Sequence, residues 1–202
     1  MRNVEQYNRI VIKVGSAVIA QPNGKLNQEI LAAICEDVAW LLKKDREILI
    51  VSSGAIALGR KKIKTSSNLT LADSQAMAAH GQIELMSAWK RQLNKFSIPI
   101  GQMLLTPRDT EIKISSQNAK QTVTKLLQMG CLPIINENDS TATDEIKFGD
   151  NDLLAAKVAK LVNADLLVVL STIDGLYTSQ ENIHSKKSGA LVREVSKINA
   201  KI

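Results

Sequence analysis

The chain has 202 residues, of which 45% are hydrophobic, and a formal net charge of +6; this suffices for one globular domain with a sizeable core. No apolar run reaches the ~20 residues that a membrane-spanning helix needs, and residues 1–8 lack the apolar segment of a secretion signal, so we expect a cytoplasmic protein. Aromatic residues make up 3% and the lysines are scattered, which argues against a nucleic-acid-binding surface.

The first predicted element is a buried strand from Arg9 to Val14, ended by Gly15 and Ser16. Lys13 is a charge inside this apolar run, and two interpretations are open. It either extends to solvent from the strand end, or it contacts a phosphate whose close approach Gly15 permits. The Gly-x-x-x-x-Gly-Lys spacing of a Walker A motif is absent here.

A second strand–turn–helix follows. Asn27 is predicted to cap a helix that runs to about Lys44, and the second strand covers Glu47 to Val51. The turn Ser52-Ser53-Gly54-Ala55 comes next, with a helix beginning near Ala55. Serine and glycine at such a turn are typical of an anion-binding site. A serine that only caps the following helix explains the pattern equally well.

The rest of the chain continues the alternation of strands and helices. A helical pattern from Leu71 to Leu93 is interrupted at Gly81 and Gln82, so we expect a break there. The run Leu166 to Leu170 is wholly apolar, which is typical of a central strand. The alternation predicts an α/β fold with a parallel sheet covered on both faces. Further predicted elements are a strand at Ile98–Leu105, a helix at Gln117–Met129, a strand at Leu132–Ile135 and a hairpin strand at Leu191–Val195.

A long polar segment, Ile135 to Asp152, joins the fourth strand to a helix. Open α/β sheets bind ligands at the carboxyl ends of their strands, and loops of this length are usually functional or disordered. The apolar anchors Ile146 and Phe148 argue against disorder. Its carboxylates and amides suit a small zwitterion, because a carboxylate binds an ammonium group and amides bind a carboxylate. The alternative is a solvated acidic loop. The polar side chains are Asn136, Asn138, Asp139, Asp150, Asn151 and Asp152.

Several segments together resemble the amino acid kinase family, and within it the kinases that phosphorylate glutamate. The resemblance covers nearly the whole chain. At the nucleotide turn Thr172 stands where these kinases often have an acid. His80 stands where these kinases usually have an apolar residue. The matching segments are Lys13-Val14-Gly15, Ser53-Gly54-Ala55-Ile56-Ala57-Leu58-Gly59, Gln75-Ala76-Met77-Ala78-Ala79-His80-Gly81-Gln82, Asn136-Glu137-Asn138-Asp139, Thr143, Glu145, Phe148-Gly149-Asp150-Asn151-Asp152 and Ser171-Thr172-Ile173-Asp174-Gly175-Leu176-Tyr177-Thr178.

The resemblance implies a three-layer αβα sandwich with a mainly parallel central sheet. It also implies ATP-dependent phosphorylation of the γ-carboxylate of L-glutamate, the first step of proline biosynthesis, with Mg²⁺ carried on ATP. This reaction needs no general base, because a carboxyl group with a pKa near ~4.3 is already ionised at neutral pH. A homo-oligomer, dimeric or tetrameric, is expected, with no metal site built by the protein itself.

The resemblance also implies roles for individual residues. Lys13 and Asp152 are the implied catalytic residues, with Asp152 orienting the lysine. Asp139 is expected to bind the α-ammonium of glutamate. The full set of implied substrate-binding residues is Ser53, Gly54, Asn136, Asp139 and Asn151. The implied nucleotide-binding residues are Lys13, Gly15, Ser171 and Thr172.

Kinases of this family continue into a Gly-Thr-Gly-Gly-Met-x-Thr-Lys segment that supplies a second phosphate-contacting lysine. The sequence ends at Ile202, before that segment. We therefore expect residues 1–202 to form one kinase domain that lacks the C-terminal part of its nucleotide half, with no second domain, and that binds glutamate but turns over poorly. The alternatives are an inactive glutamate-binding module or regulatory subunit, and a sister kinase acting on another acid or on UMP.

Overall fold

The computed structural model describes residues 4–21, 23–60, 69–141, 151–177 and 190–196. The chain divides into two compact units, Met1–Leu170 and Ser171–Ile202. Within the described part of the chain, no helix combines the length and the apolar character needed to cross a membrane.

The first unit is built on a five-stranded parallel sheet. Its strands are β1 (Arg9–Val14), β2 (Glu47–Ser52), β3 (Ile100–Leu105), β4 (Leu132–Glu137) and β5 (Leu166–Leu170). Their order across the sheet is β3-β4-β2-β1-β5, and each neighbouring pair is parallel. The carboxyl ends of all five strands therefore lie at one edge of the sheet.

The prediction that β5 is a central strand is wrong, because β5 lies at an edge of the described sheet and pairs with β1. An apolar run shows only that both faces of a strand are covered. For β5 this holds, since Val168 packs against one core and Leu167 against the other, while Val169 is 46% exposed.

Helices surround the sheet of the first unit. They are α1 (Ser16–Ile19), α2 (Gln28–Leu42), α3 (Ala55–Arg60), α4 (Leu71–Leu93), α5 (Pro107–Glu111), α6 (Lys113–Gln128) and α7 (Asn151–Leu161). The predicted cap of α2 is confirmed, because Asn27 Oδ1 accepts a hydrogen bond from the Ile30 N–H at 3.4 Å. The side chains of Thr70 and Asp73 cap α4 reciprocally, which satisfies backbone donors that the first turn leaves free.

The predicted break in α4 is wrong, because the helix continues through Gly81 and Gln82. Glycine is needed there for a different reason. A Cβ atom on Gly81 would lie 1.8 Å from the Ala55 carbonyl oxygen, so α3 and α4 touch backbone to backbone. This contact places Gln82 of α4 beside the turn that begins α3.

Two apolar cores cover the two faces of the sheet. Successive side chains of a strand point to opposite faces, and Ile10 and Ile12 accordingly belong to one core while Val11 belongs to the other. The first core is completed by α2, α3 and α4, and the second by α6 and α7. Each fully buried Ile, Leu or Val contributes about 1.5–3 kcal/mol. The predicted three-layer αβα sandwich is confirmed.

The second unit contains a short antiparallel ribbon within its described residues. It consists of β6 (Leu176–Tyr177) and β7 (Leu191–Val192). The predicted strand at Leu191–Val195 is therefore present but shorter than expected. Gly175, which precedes β6, has a φ of +153° and sits close to the Leu191 side chain.

Candidate active site at the carboxyl edge of the sheet

Lys13 and Asp152 form an ion pair at the end of β1. The Lys13 Nζ lies 2.5 Å from Asp152 Oδ1, and the two side chains are 10% and 63% exposed. A buried ammonium without a partner is unfavourable, so Asp152, in the first turn of α7, fixes the lysine at the sheet edge. The interpretation in which Lys13 extends to solvent is therefore wrong.

Gly15 lies close to this lysine and to the end of β5. A Cβ atom at Gly15 would lie 3.6 Å from Lys13 Nζ and 3.2 Å from the Leu170 carbonyl oxygen, and the Gly15 N–H donates to that oxygen at 3.0 Å. A side chain at this position would touch the lysine ammonium and press more closely on the Leu170 carbonyl oxygen. The arrangement keeps the ammonium group approachable by an anion.

The turn after β2 lies beside the end of β1. The Ser53 N–H donates to the Val14 carbonyl at 3.0 Å, which joins the two strand ends. Gly54 has a φ of +106°, a conformation that side chains strongly disfavour. The Trp89 indole N–H donates to Ser52 Oγ at 3.0 Å inside the core, which anchors the turn to α4.

Three buried amide side chains and a serine form a continuous set of hydrogen bonds, which we call the amide relay: Gln82, Asn136, Asn151 and Ser53. Asn136 Nδ2 donates to Gln82 Oε1 at 2.8 Å. Asn151 Nδ2 donates to Asn136 Oδ1 at 2.9 Å and to Ser53 Oγ at 2.7 Å. The relay thus connects α4, the end of β4, the start of α7 and the turn after β2.

Asp139 lies just beyond the relay, in the 3₁₀ turn Asp139–Thr141 that follows β4. Its Oδ1 is buried and has no hydrogen-bond partner among the described residues. Burial, and to a lesser degree the neighbouring Glu137 carboxylate, raise the pKa of Asp139 to about 6. A buried carboxylate of this kind favours a cationic partner.

Asp139 and Gln82 line the same cavity of about 250 Å³, between α4 and the ends of β3 and β4. The described structure also has larger cavities, of about 470 and 490 Å³, on the side of α1 and α2. We assign the candidate site to the smaller cavity, because two buried atoms without hydrogen-bond partners among the described residues, Asp139 Oδ1 and Gln82 Nε2, belong to its lining. Its complete lining is Ala55, Ala78, Ala79, Gln82, Ile83, Gln102, Leu104, Glu137, Asn138, Asp139 and Ser140.

The structure brings most of the predicted site residues of the first unit together. They are Lys13, Gly15, Ser53, Gly54, Asn136, Asp139, Asn151 and Asp152. Ser171 and Thr172 belong to the second unit, where Ser171 Oγ accepts from the Ile173 N–H at 3.3 Å. Their nucleotide role stays a prediction. The predicted loop residues Thr143, Glu145, Ile146, Phe148, Gly149 and Asp150 lie outside the described residues.

Gln82 belongs to a segment that resembles the family, but the sequence pattern assigned it no role at the site. The pair Gly81-Gln82 looked like an interruption of a helix, whereas the structure makes Gln82 one end of the amide relay. A signal was present, since a glutamine on the buried face of an amphipathic helix needs a hydrogen-bond partner. Its partner Asn136 is 54 positions away, which the local pattern could not show.

Comparison with known proteins gives a consistent result. The model of the amino acid kinase family matches residues 8–201. A glutamate 5-kinase from Sinorhizobium fredii is 51% identical over 184 residues, which are 91% of this chain and 47% of that protein. A glutamate 5-kinase from Rhizobium etli is 47% identical over 198 residues, which are 98% of this chain and 50% of that protein. The chain spans about half the length of the curated relatives it matches.

A solved structure shares the fold. The UMP kinase from Bacillus anthracis superimposes with a TM-score of 0.58 at 17% identity, covering 90% of this chain and 72% of that one. At this level of identity the likeness concerns the fold alone. It agrees with the parallel sheet and the flanking helices described above.

Proposed function

Because the chain belongs to the amino acid kinase family, we propose that it transfers the terminal phosphate of ATP to the γ-carboxylate of L-glutamate. The products are ADP and γ-glutamyl phosphate, and the reaction opens proline biosynthesis in the cytoplasm. The observation that carries the proposal is the buried Lys13 ammonium, paired with Asp152, at the same sheet edge as Asp139, whose buried Oδ1 has no hydrogen-bond partner among the described residues. The choice of substrate is supported by the glutamate 5-kinases that are 51% and 47% identical in sequence to this chain.

The difficulty of this reaction is electrostatic, because an anionic carboxylate attacks a polyanion. Such transfers are helped by in-line positioning and by fixed cations at the oxygens that carry charge. We assign Lys13 to the transferring phosphate, with Asp152 holding its ammonium in place. Gly15 leaves room for the phosphate beside that ammonium.

Mg²⁺ carried on ATP supplies further neutralisation of phosphate charge. Among the described residues there is no group of three or more His, Cys, Asp or Glu side chains that could hold a metal ion. The donors present at the site are instead a lysine, amides and a serine hydroxyl. They fit phosphate and carboxylate oxygens, so the ion is best written as part of the nucleotide substrate.

Glutamate is bound at both of its ends in this proposal. Asp139 accepts hydrogen bonds from the α-ammonium. Ser53 and Gly54 bind the γ-carboxylate, with Asn151 acting through Ser53. Since Ser53 Oγ accepts from Asn151 at 2.7 Å, its own hydrogen remains free for a carboxylate oxygen. Asn136 keeps Asn151 in place.

The nucleotide half of the proposal rests on the family resemblance. Lys13 and Gly15 contact the phosphates, and Ser171 and Thr172 line the rest of the nucleotide. Assembly into a homo-oligomer, dimeric or tetrameric, is part of the same proposal.

Calorimetry and a product trap test the proposed function separately. The purified protein should bind L-glutamate, and a version that also carries the family's Gly-Thr-Gly-Gly-Met-x-Thr-Lys segment should yield γ-glutamyl hydroxamate with MgATP and hydroxylamine. Asp139→Ala should lose on the order of 2–5 kcal/mol of glutamate binding with little change in ATP affinity, since it leaves the ammonium unpaired. Absence of glutamate binding by the wild type would contradict the proposal, and unchanged affinity in the variant would contradict the role of Asp139.

A further inference from the structure

Gln82 presents an unused hydrogen-bond donor to the candidate site. Its side chain is 9% exposed, and its Nε2 is buried without a hydrogen-bond partner among the described residues. Buried amide nitrogens almost always have an acceptor, and leaving one without costs free energy. The same side chain lines the cavity that contains Asp139, so a ligand in that cavity can supply the acceptor.

The orientation of the Gln82 amide follows from a backbone contact. The Glu137 N–H donates to Asn136 Oδ1 at 2.9 Å, and a backbone N–H can only be a donor. The other end of the Asn136 amide must then be its nitrogen, which faces Gln82 at 2.8 Å. Gln82 therefore turns its oxygen to Asn136, and the atom left over is a donor rather than an acceptor.

The two ends of the site differ in chemistry. Lys13 and Gly15 mark the phosphate end, at β1, and the Ser53 turn lies next to them through its hydrogen bond to Val14. Asp139 and Gln82 lie at the opposite end, in the cavity beyond β4. A γ-carboxylate placed near Lys13 leaves the amino-acid head of the substrate in this cavity.

We propose that Gln82 is a substrate-binding residue whose Nε2 donates a hydrogen bond to the α-carboxylate of the amino acid, an inference that rests on the proposed function. The α-ammonium and α-carboxylate of an amino acid are attached to one carbon, so their partners must be neighbours. Asp139 supplies the acceptor for the first and Gln82 supplies the donor for the second. Glu137 also lines the cavity and its negative charge acts on Asp139, so a neutral donor near the α-carboxylate is favourable.

Gln82 also positions the rest of the relay, since its oxygen holds Asn136. Substitution could therefore weaken binding through Asn136 alone, and a useful test must separate the two effects. Gln82→Glu does this, because the new side chain keeps an oxygen for Asn136 Nδ2, loses the donor and places a negative charge against the α-carboxylate. Isoglutamine is the α-carboxamide of glutamate. It keeps the α-ammonium and the γ-carboxylate, but a neutral carboxamide replaces the α-carboxylate.

The experiment is calorimetric titration of wild type and Gln82→Glu with L-glutamate and with isoglutamine. We expect Gln82→Glu to weaken glutamate binding roughly ten- to hundredfold, the usual effect of losing a hydrogen bond to a charged group, and to weaken isoglutamine binding much less. ATP affinity should be unchanged. Gln92→Glu is the matched control, because Gln92 lies on the same helix, is equally buried at 8% exposure and does not line the cavity.

Equal losses for glutamate and isoglutamine would overturn the inference, since they would show a role in positioning Asn136 only. Unchanged glutamate binding would overturn it as well. If Gln82→Glu does not fold, Gln82→Met replaces it, and the preference of the protein for glutamate over isoglutamine should then fall towards parity. A wild type that binds no glutamate would refute the proposed function itself, a result distinguishable from both.

Discussion

Glutamate binding should weaken as the pH falls, because Asp139 must be ionised to accept the α-ammonium. Burial and the Glu137 carboxylate raise the pKa of Asp139 to about 6 in the free protein. Below that pH a proton must leave the carboxyl group before glutamate binds. The apparent dissociation constant then rises about tenfold per pH unit, and the titration curve gives about tenfold weaker binding at pH 5 than at pH 7.

The stability of the free protein should change in the opposite direction. In the unfolded chain Asp139 titrates near its ordinary pKa of 3.8, against about 6 when folded. Between these values the folded state binds more protons than the unfolded state, so this group makes the free energy of unfolding fall as the pH rises. The contribution is unfavourable to folding above the folded pKa and disappears below the unfolded pKa.

Calorimetry at pH 5, 6 and 7 measures both the affinity and the proton balance. At pH 6 the bound ammonium favours ionised Asp139, so binding should release protons, and the heat should depend on the ionisation enthalpy of the buffer. Asp139→Asn should abolish this buffer dependence. Asp37→Asn is the control, because it removes an exposed carboxylate on α2 and should leave the pH profile intact. Proton release that persists in Asp139→Asn would refute the reasoning.

Three further predictions concern catalysis and stability. In a full-length version of the protein, Lys13→Ala should lower turnover by about 10²-fold or more while glutamate affinity, measured calorimetrically, changes little; a change confined to the Michaelis constant for glutamate would make Lys13 a binding residue. Gly81→Ala should lower the free energy of unfolding in urea by about 2–4 kcal/mol, because its methyl group overlaps the α3 backbone. Gly130→Ala, which faces open space at a φ of +68°, should cost only about 1–2 kcal/mol, and equal losses would contradict the close contact. Trp89→Phe should cost about 1–3 kcal/mol in the same assay, because it leaves the Ser52 hydroxyl without its donor; no loss would show that this hydrogen bond is unimportant.

The parts of the fold that short-range chemistry controls could be predicted from the sequence. The strand Arg9–Val14 has the predicted bounds, since a buried apolar run ends where glycine and serine begin. The cap at Asn27 was predictable for a similar reason. The helix predicted at Gln117 begins four residues earlier, at Lys113, because polar residues in the first turn carry no apolar periodicity.

Features that depend on distant contacts could not be predicted. The apolar residues of β5 are compatible with either a central or an edge position, and only pairing across the sheet decides between them. Gly81 was misread because the requirement for glycine comes from the α3 backbone, which leaves no room for a side chain there. Gln82 was assigned no role at the site for the same reason. Its importance depends on a hydrogen bond to Asn136, and a local sequence pattern does not show which buried amides will be hydrogen-bonded to each other.

The first turn of α7 connects the two ends of the candidate site. Asn151 and Asp152 are consecutive, so their side chains diverge by about 100° around the helix axis. Asn151 points into the amide relay, and Asp152 points to Lys13. A movement of this turn must therefore shift together Ser53, which we assign to the γ-carboxylate, and Lys13, which we assign to the transferring phosphate. In-line transfer requires that the two reacting groups keep a fixed separation, and a single rigid turn that carries both supports is a direct way to maintain it.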